Sequence, residues 1–162
     1  MRKLLKIFTV LIAVFIHNSY ASSEQNNEYT MKKIDFFGKE IDKCKDIFLD
    51  KQKNNVYTGE TSYSEHYKIF MANNEDVRDC YKNTAQLIFK EFYKDDYDEL
   101  MKMYNTFVSD TYHRYLLTYG NNKFCKTSCG LMPEMKATQS TTYSTQEYLI
   151  NLLDSLERFS TY

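Results

Sequence analysis

The chain has 162 residues, a formal net charge of −1, four cysteines, no tryptophan and 15 tyrosines. Near-neutral charge removes the electrostatic case for nucleic acid, whose phosphates demand a basic face. Four glycines are too few for a phosphate-cradling loop, and no Gly-x-Ser-x-Gly turn occurs.

Residues 1–21 read as a secretory signal peptide. Arg2, Lys3 and Lys6 form a basic start, Ile7 to Ile16 is an apolar run, and Ser19-Tyr20-Ala21 offers small residues at the two positions a signal peptidase reads. A run of that length rises only about 15 Å as a helix, against a hydrocarbon core of about 30 Å. The pattern therefore predicts cleavage after Ala21, no membrane association of the mature chain, and a single helical domain over 22–162 with 22–28 disordered. Cleavage removes three of the 21 basic residues and leaves 18 against 22 acidic ones, a charge of −4. That mild acidity suits a basic partner. No Asn-x-Ser/Thr sequon occurs. With the short basic start, this favours a bacterial envelope, periplasmic or secreted, over a eukaryotic secretory route.

From Tyr29 to Asp50, apolar residues fall at Ile34, Phe37, Ile41, Cys44 and Phe48, steps of three and four that make one helical face. Gly38 lies inside it and loosens the first turns. Lys51 to Thr61 reads as a loop. Ser62 and Glu65 form a capping box for a short helix from Tyr63 to Ala72, which Asn73-Asn74 ends. The next helix spans Glu75 to Lys94 with Val77, Cys80 or Tyr81, Thr84, Leu87 or Ile88, and Phe92 inward. Asp95-Asp96 breaks it. Asp96, followed by Glu99, caps a further helix to Tyr119, with Leu100, Tyr104, Phe107, Thr111 and Tyr115 inward and Gly120-Asn121 as the stop. A single helix from Glu75 to Tyr119 is the alternative. Asn122 to Tyr143 reads as loop, with one helical turn after Pro133. A second capping box, Ser144 to Glu147, opens the last helix, whose seam is Leu149, Leu152, Leu156 and Phe159. The fold class is all-α, a disulfide-stapled bundle of four to five helices around a central helical hairpin.

After a signal peptide, an even cysteine count predicts two disulfides among Cys44, Cys80, Cys125 and Cys129. Three pairings are possible. The hairpin favours Cys80 with Cys125, leaving Cys44 for Cys129. The histidines His66 and His113 lack partners at metal-ligand spacing, so neither a metal nor a cofactor is predicted. Asp95, Asp96, Asp98 and Glu99 resemble a paired-carboxylate cluster. Their place at a helix start among Lys90, Lys94 and Lys102 reads instead as a solvated face open to a partner. A non-enzymatic binding protein follows.

Cys80 is followed by Ala85-Gln86-Leu87-Ile88-Phe89-Lys90-Glu91-Phe92-Tyr93, then by Thr111-Tyr112-His113-Arg114-Tyr115, the cysteine Cys125, and a terminal helix from Gln146 to Leu153. This order resembles the exported bacterial lysozyme-inhibitor-like (LprI type) proteins. Ala85 and Tyr93 match their first helix, Phe89 stands where leucine is usual, and Tyr115 takes the place of the family tryptophan. The family's Asp, Asn and Arg-Asp pair are replaced. The resemblance implies an all-α envelope protein with disulfides. Together with export, the mild acidity and the lack of a catalytic set, it leads to the expectation of a protein that blocks a cell-wall-degrading enzyme, lysozyme first, by steric occlusion. A periplasmic immunity protein against a delivered bacterial toxin, or a structural or host-facing envelope protein, would share the same features.

Overall fold

A computed structural model of the chain describes residues 2–53, 62–121 and 131–160, with side chains described over 27–53, 62–121 and 131–159. The elements are α1 (Arg2–Lys53), α2 (Tyr63–Phe92), α3 (Tyr97–Gly120) and α4 (Met132–Ser160), with a 3-10 turn at Lys94–Asp96 between α2 and α3. The described residues contain no strand, and none of their helices is long and apolar enough to cross a membrane.

The stripe on α1 behaves as its spacing dictates. Ile34, Phe37, Ile41, Cys44 and Phe48 are all buried, and the helix runs unbroken through Gly38. Residues 22–28, predicted to be disordered, are helical backbone within α1. Glu28 and Lys32 form an i,i+4 pair there, and the neighbouring Tyr29 is tied to α2.

At the start of α2, the Ser62 hydroxyl accepts the Glu65 amide at 3.2 Å, the first half of the predicted capping box. The predicted break at Asn73-Asn74 does not occur. Phe70 and Val77, both buried, are seven residues apart and so share one face of an unbroken helix. Asn74 lies between them at 3% exposure and donates its side-chain amide to the Phe70 carbonyl at 2.8 Å. A residue read as a breaker thus satisfies its donor within the helix. The real break comes at Tyr93, whose backbone leaves the helical region (φ −137°, ψ 48°). The 3-10 turn follows, and α3 starts after Asp96, which caps without a side-chain hydrogen bond. Two helices, not one, therefore span Glu75 to Tyr119.

The larger correction concerns α4. Asn122 to Tyr143 was read as loop because it is polar, yet the helix begins at Met132 and carries Pro133 in its first turn, where a missing N–H costs nothing. Ala137, Thr138, Thr141, Thr142 and Thr145 are buried. Three of these hydroxyls donate four residues back, Thr141 to Ala137 at 2.7 Å, Thr142 to Thr138 at 3.0 Å and Thr145 to Thr141 at 2.8 Å. The predicted cap Ser144 is mid-helix and shares a hydrogen bond with the Tyr115 hydroxyl at 3.1 Å. In the terminal seam Leu149 and Leu153 are buried, Leu152 and Leu156 pack against the core, and Phe159 is 83% exposed rather than inward.

Cross-helix contacts set the topology. Lys33 meets Glu91, Cys44 meets Cys80 and Lys51 meets Asp76, so α1 and α2 are antiparallel. Tyr67 reaches Glu134 at 2.6 Å and Tyr81 reaches Gln146 at 3.2 Å, so α2 and α4 run parallel. Tyr119–Ser140 and Tyr115–Ser144 make α3 antiparallel to α4. The result is an up-down-up-down four-helix bundle. α3 packs most extensively on α4, which also touches α1 and α2. The organising element is therefore α4, not the predicted central α2–α3 hairpin.

Cys44 and Cys80 form a disulfide across the α1–α2 seam, with Cα atoms 5.6 Å apart. This overturns the predicted pairing of Cys80 with Cys125 and of Cys44 with Cys129. Antiparallel α1 and α2 bring the two seam cysteines level, a juxtaposition that depends on which helices are neighbours and in which register. Cys125 and Cys129 lie outside the described residues. A non-reducing peptide map should yield the Cys44–Cys80 linked peptide. Replacing both cysteines by alanine should cost about 3–4 kcal/mol in chemical denaturation, the value for a loop of this length; a map joining Cys80 to Cys125 would contradict the fold.

At the other end of the same seam, Glu91 accepts the Tyr29 hydroxyl at 2.5 Å and pairs with Lys33 at 3.3 Å. The hydrogen bond from Tyr29 chiefly holds the Glu91 carboxyl below its ordinary value; burial opposes this and Lys33 assists. A carboxyl depressed in the folded state contributes stability above its unfolded value and loses it as pH falls through the folded one. Stability should therefore drop as pH falls below the ordinary carboxylate range, and Tyr29→Phe should flatten that drop by about 0.5 kcal/mol, the modest scale of part-exposed groups. Denaturation midpoints of both proteins at neutral and at acid pH provide the check.

Candidate protein-binding corner and interhelical cleft

Two features offer themselves for recognition. The first is the corner between α2 and α3. Asp95, Asp96, Asp98 and Glu99 are all exposed there, and none forms an ion pair among the described residues. The backbone beneath them is held: the Tyr93 amide donates to Phe89 at 2.9 Å, and the Asp96 amide to Tyr93 at 3.1 Å. Tyr97 is half-buried beneath the Lys90 ammonium at 5.4 Å. Asp98 and Glu99 share a shallow depression with Lys102, Met103 and Thr106, and Met103 is 56% exposed. Acids therefore flank an apolar contact point, an arrangement suited to a basic protein surface.

The second feature is a cleft of 240 Å³ where α2, α3 and α4 meet. One face of α2 contributes Glu75, Arg78, Asp79 and Lys82, at i, i+3, i+4 and i+7. That spacing allows ion pairs along the helix, yet none of the four forms one among the described residues. Tyr104, Asn105 and Ser109 of α3 stand opposite, and Thr142 and Thr145 of α4 line the cleft as well. The threonines have given their protons to their own helix, leaving only acceptor capacity.

The two buried tyrosines among the described residues both line this cleft and differ. Tyr81 donates to Gln146, whereas Tyr104, 3% exposed, makes no hydrogen bond to any described residue. Burial pushes both phenols well above their ordinary value, so both remain neutral donors at physiological pH. Its ring leans on Tyr148, centroids 6.1 Å apart.

No protein-family model, curated protein sequence or solved structure matches this chain. The residues that carry the lysozyme-inhibitor-like resemblance serve packing: Ala85 and Phe89 are in the core, and Tyr93 forms the end of α2. His66 and His113 lie on different helices, and the described residues contain no metal-holding group of three or more His, Cys, Asp or Glu. His113 Nδ1 lies 2.8 Å from the Ser109 carbonyl and 3.5 Å from the Ser109 hydroxyl. The shorter contact places the proton on Nδ1, donated to the carbonyl. That nitrogen therefore cannot take the proton from the Ser109 hydroxyl.

The acidic corner was legible in the sequence; the cleft was not, because it needs three helices in register and its Thr142 wall belongs to a stretch expected to be loop. The phenol contrast is open to direct measurement. Tyr81→Phe should cost about 1 kcal/mol for its lost hydrogen bond, while Tyr104→Phe should change stability by less than about 0.5 kcal/mol. Equal losses in urea unfolding would mean that Tyr104 has a partner in the folded protein.

Proposed function

We propose that this is an exported, non-enzymatic binding protein that inhibits a cell-wall-degrading enzyme, lysozyme first, by steric occlusion. The observation that carries the reading is the α2–α3 corner, where four exposed acids form no ion pair among the described residues and two of them, Asp98 and Glu99, share a depression with the exposed Met103. Export rests on the amino-terminal signal pattern, and the class of partner on the resemblance of the Cys80 to Leu153 stretch to lysozyme-inhibitor-like proteins. Lysozymes are basic. Unpaired acids would speed the encounter through long-range attraction, and Met103 would supply desolvated contact area once the surfaces meet. A rigid bundle suits occlusion, since little ordering entropy is lost on binding.

The test uses oxidised protein from Ser22 onward and a lysozyme activity assay with stopped-flow association. Inhibition should be stoichiometric. The combined variant Asp95→Asn, Asp96→Asn, Asp98→Asn and Glu99→Gln should associate at least about tenfold more slowly at low salt and lose most of its salt dependence. Its fold should persist, because the acids are exposed and each contributes only about 0.3–1 kcal/mol through the α3 dipole. Unchanged kinetics would remove the corner from the interface. Inhibition of a delivered bacterial toxin instead of lysozyme would assign the protein to immunity.

A further inference from the structure

The α2–α3–α4 cleft carries an inference independent of the acidic corner. Its walls hold two carboxylates and two cations on one helix face, alternating in sign and a turn or less apart, with none paired to another. Opposite them stands Tyr104, whose ring is buried and whose hydroxyl, open to the cleft, bonds to no described residue. A ligand in the cleft can take that donor without breaking a hydrogen bond within the fold. Arg78 is half-buried, while Glu75, Asp79 and Lys82 are exposed at the rim.

We infer that this cleft binds a small peptide-like zwitterion of dipeptide size. The Arg78 guanidinium and the Tyr104 hydroxyl, with Ser109 and Asn105 beside them, supply donors for a carboxylate; Glu75 and Asp79 at the rim receive an ammonium. The lining charges sum to zero, which disfavours a ligand of net charge and matches one carrying both signs. The dimensions agree. The cleft's 240 Å³ equals the liquid volume of about eight waters. An extended dipeptide is about 7 Å long, close to the separation of charges one helical turn apart. The acceptor oxygens of Thr142 and Thr145 face the same space and suit the ligand's peptide N–H.

L-alanyl-L-alanine is the probe, titrated into the oxidised protein and followed by NMR of the tyrosine ring signals. Saturable shifts of the Tyr104 ring are expected below about 10 mM. N-acetyl and carboxamide forms of the probe should each bind at least tenfold more weakly. Tyr104→Phe, which removes one oxygen from a position with no folded partner, should weaken binding about fivefold, and Arg78→Gln by more. Three results would overturn the inference: no saturable shift, affinity indifferent to blocking either end of the probe, or affinity unaltered by Tyr104→Phe. Retained affinity for the N-acetyl form would make the site a receptor for a chain terminus rather than for a zwitterion. None of these results bears on the acidic corner, which lies at the α2–α3 turn.

Discussion

The antiparallel register of α1 and α2 is the constraint on which the rest of the bundle depends, and the Cys44–Cys80 disulfide fixes it. From Cys44 back to Lys33 is eleven residues, and from Cys80 on to Glu91 is also eleven. At 1.5 Å per residue both arms rise about 16 Å, so the ion pair arrives at the same height on both helices. On the other side Lys51 and Asp76 are seven and four residues from the bridge, a mismatch that the long lysine side chain spans. A one-residue slip would rotate either stripe by about 100° and expose Ile41 or Tyr81. The bridge therefore sets alignment, while the bulk of the stabilisation comes from burying Ile41, Phe48, Ile88 and Phe89, each worth about 1.5–3 kcal/mol.

That alignment creates the channel that α4 fills. Leu149 and Leu153 enter between the α1 and α2 stripes, and Phe48 meets Tyr143 edge-on at 4.9 Å. Farther toward the α4 start, threonine replaces leucine, and Thr138 reaches the Met71 sulfur at 3.7 Å. A threonine core is tolerable only in a helix, where the hydroxyl proton has a carbonyl one turn back. The partner helix α3 answers with tyrosine: Tyr115 and Tyr119 hand their hydroxyls to Ser144 and Ser140. In a chain without tryptophan, aromatic size and hydroxyl chemistry come from one residue type.

What the sequence made legible follows from this division. The α1 stripe and the bounds of α3 were readable because apolar residues repeat at steps of three and four, and because Asp95-Asp96 would place charge in the seam. The continuity of α2 and the first third of α4 were not readable. Asn74 and the threonines have polar identities, and only the folded geometry shows their donors satisfied by the preceding turn. The disulfide partner was hidden for a different reason. Cys44 does face a neighbour, but periodicity does not show which helix packs against α1 or in which register, and that antiparallel register is what brings Cys80 level with it. The exposed acids of the corner needed no tertiary knowledge, since four charges at a helix start have nowhere to go but solvent.

The hydroxyl pattern also separates structural polarity from polarity kept for a ligand. Tyr29, Tyr67, Tyr81, Tyr115 and Tyr119 each place a hydroxyl on an acceptor or hydroxyl of another helix, so their polarity is used within the fold. For Tyr67 the Glu134 carboxylate pushes the phenol up to about 12, a sign that the interaction belongs to the protonated form. Tyr104 is buried at 3% exposure, but its hydroxyl opens on the cleft and has no such partner, and the cleft's charges form no ion pair among the described residues. A phenol open to the cleft and unpaired charges along α2 therefore meet in one place, and a ligand that accepts from the phenol and bridges the rim charges would engage both at once.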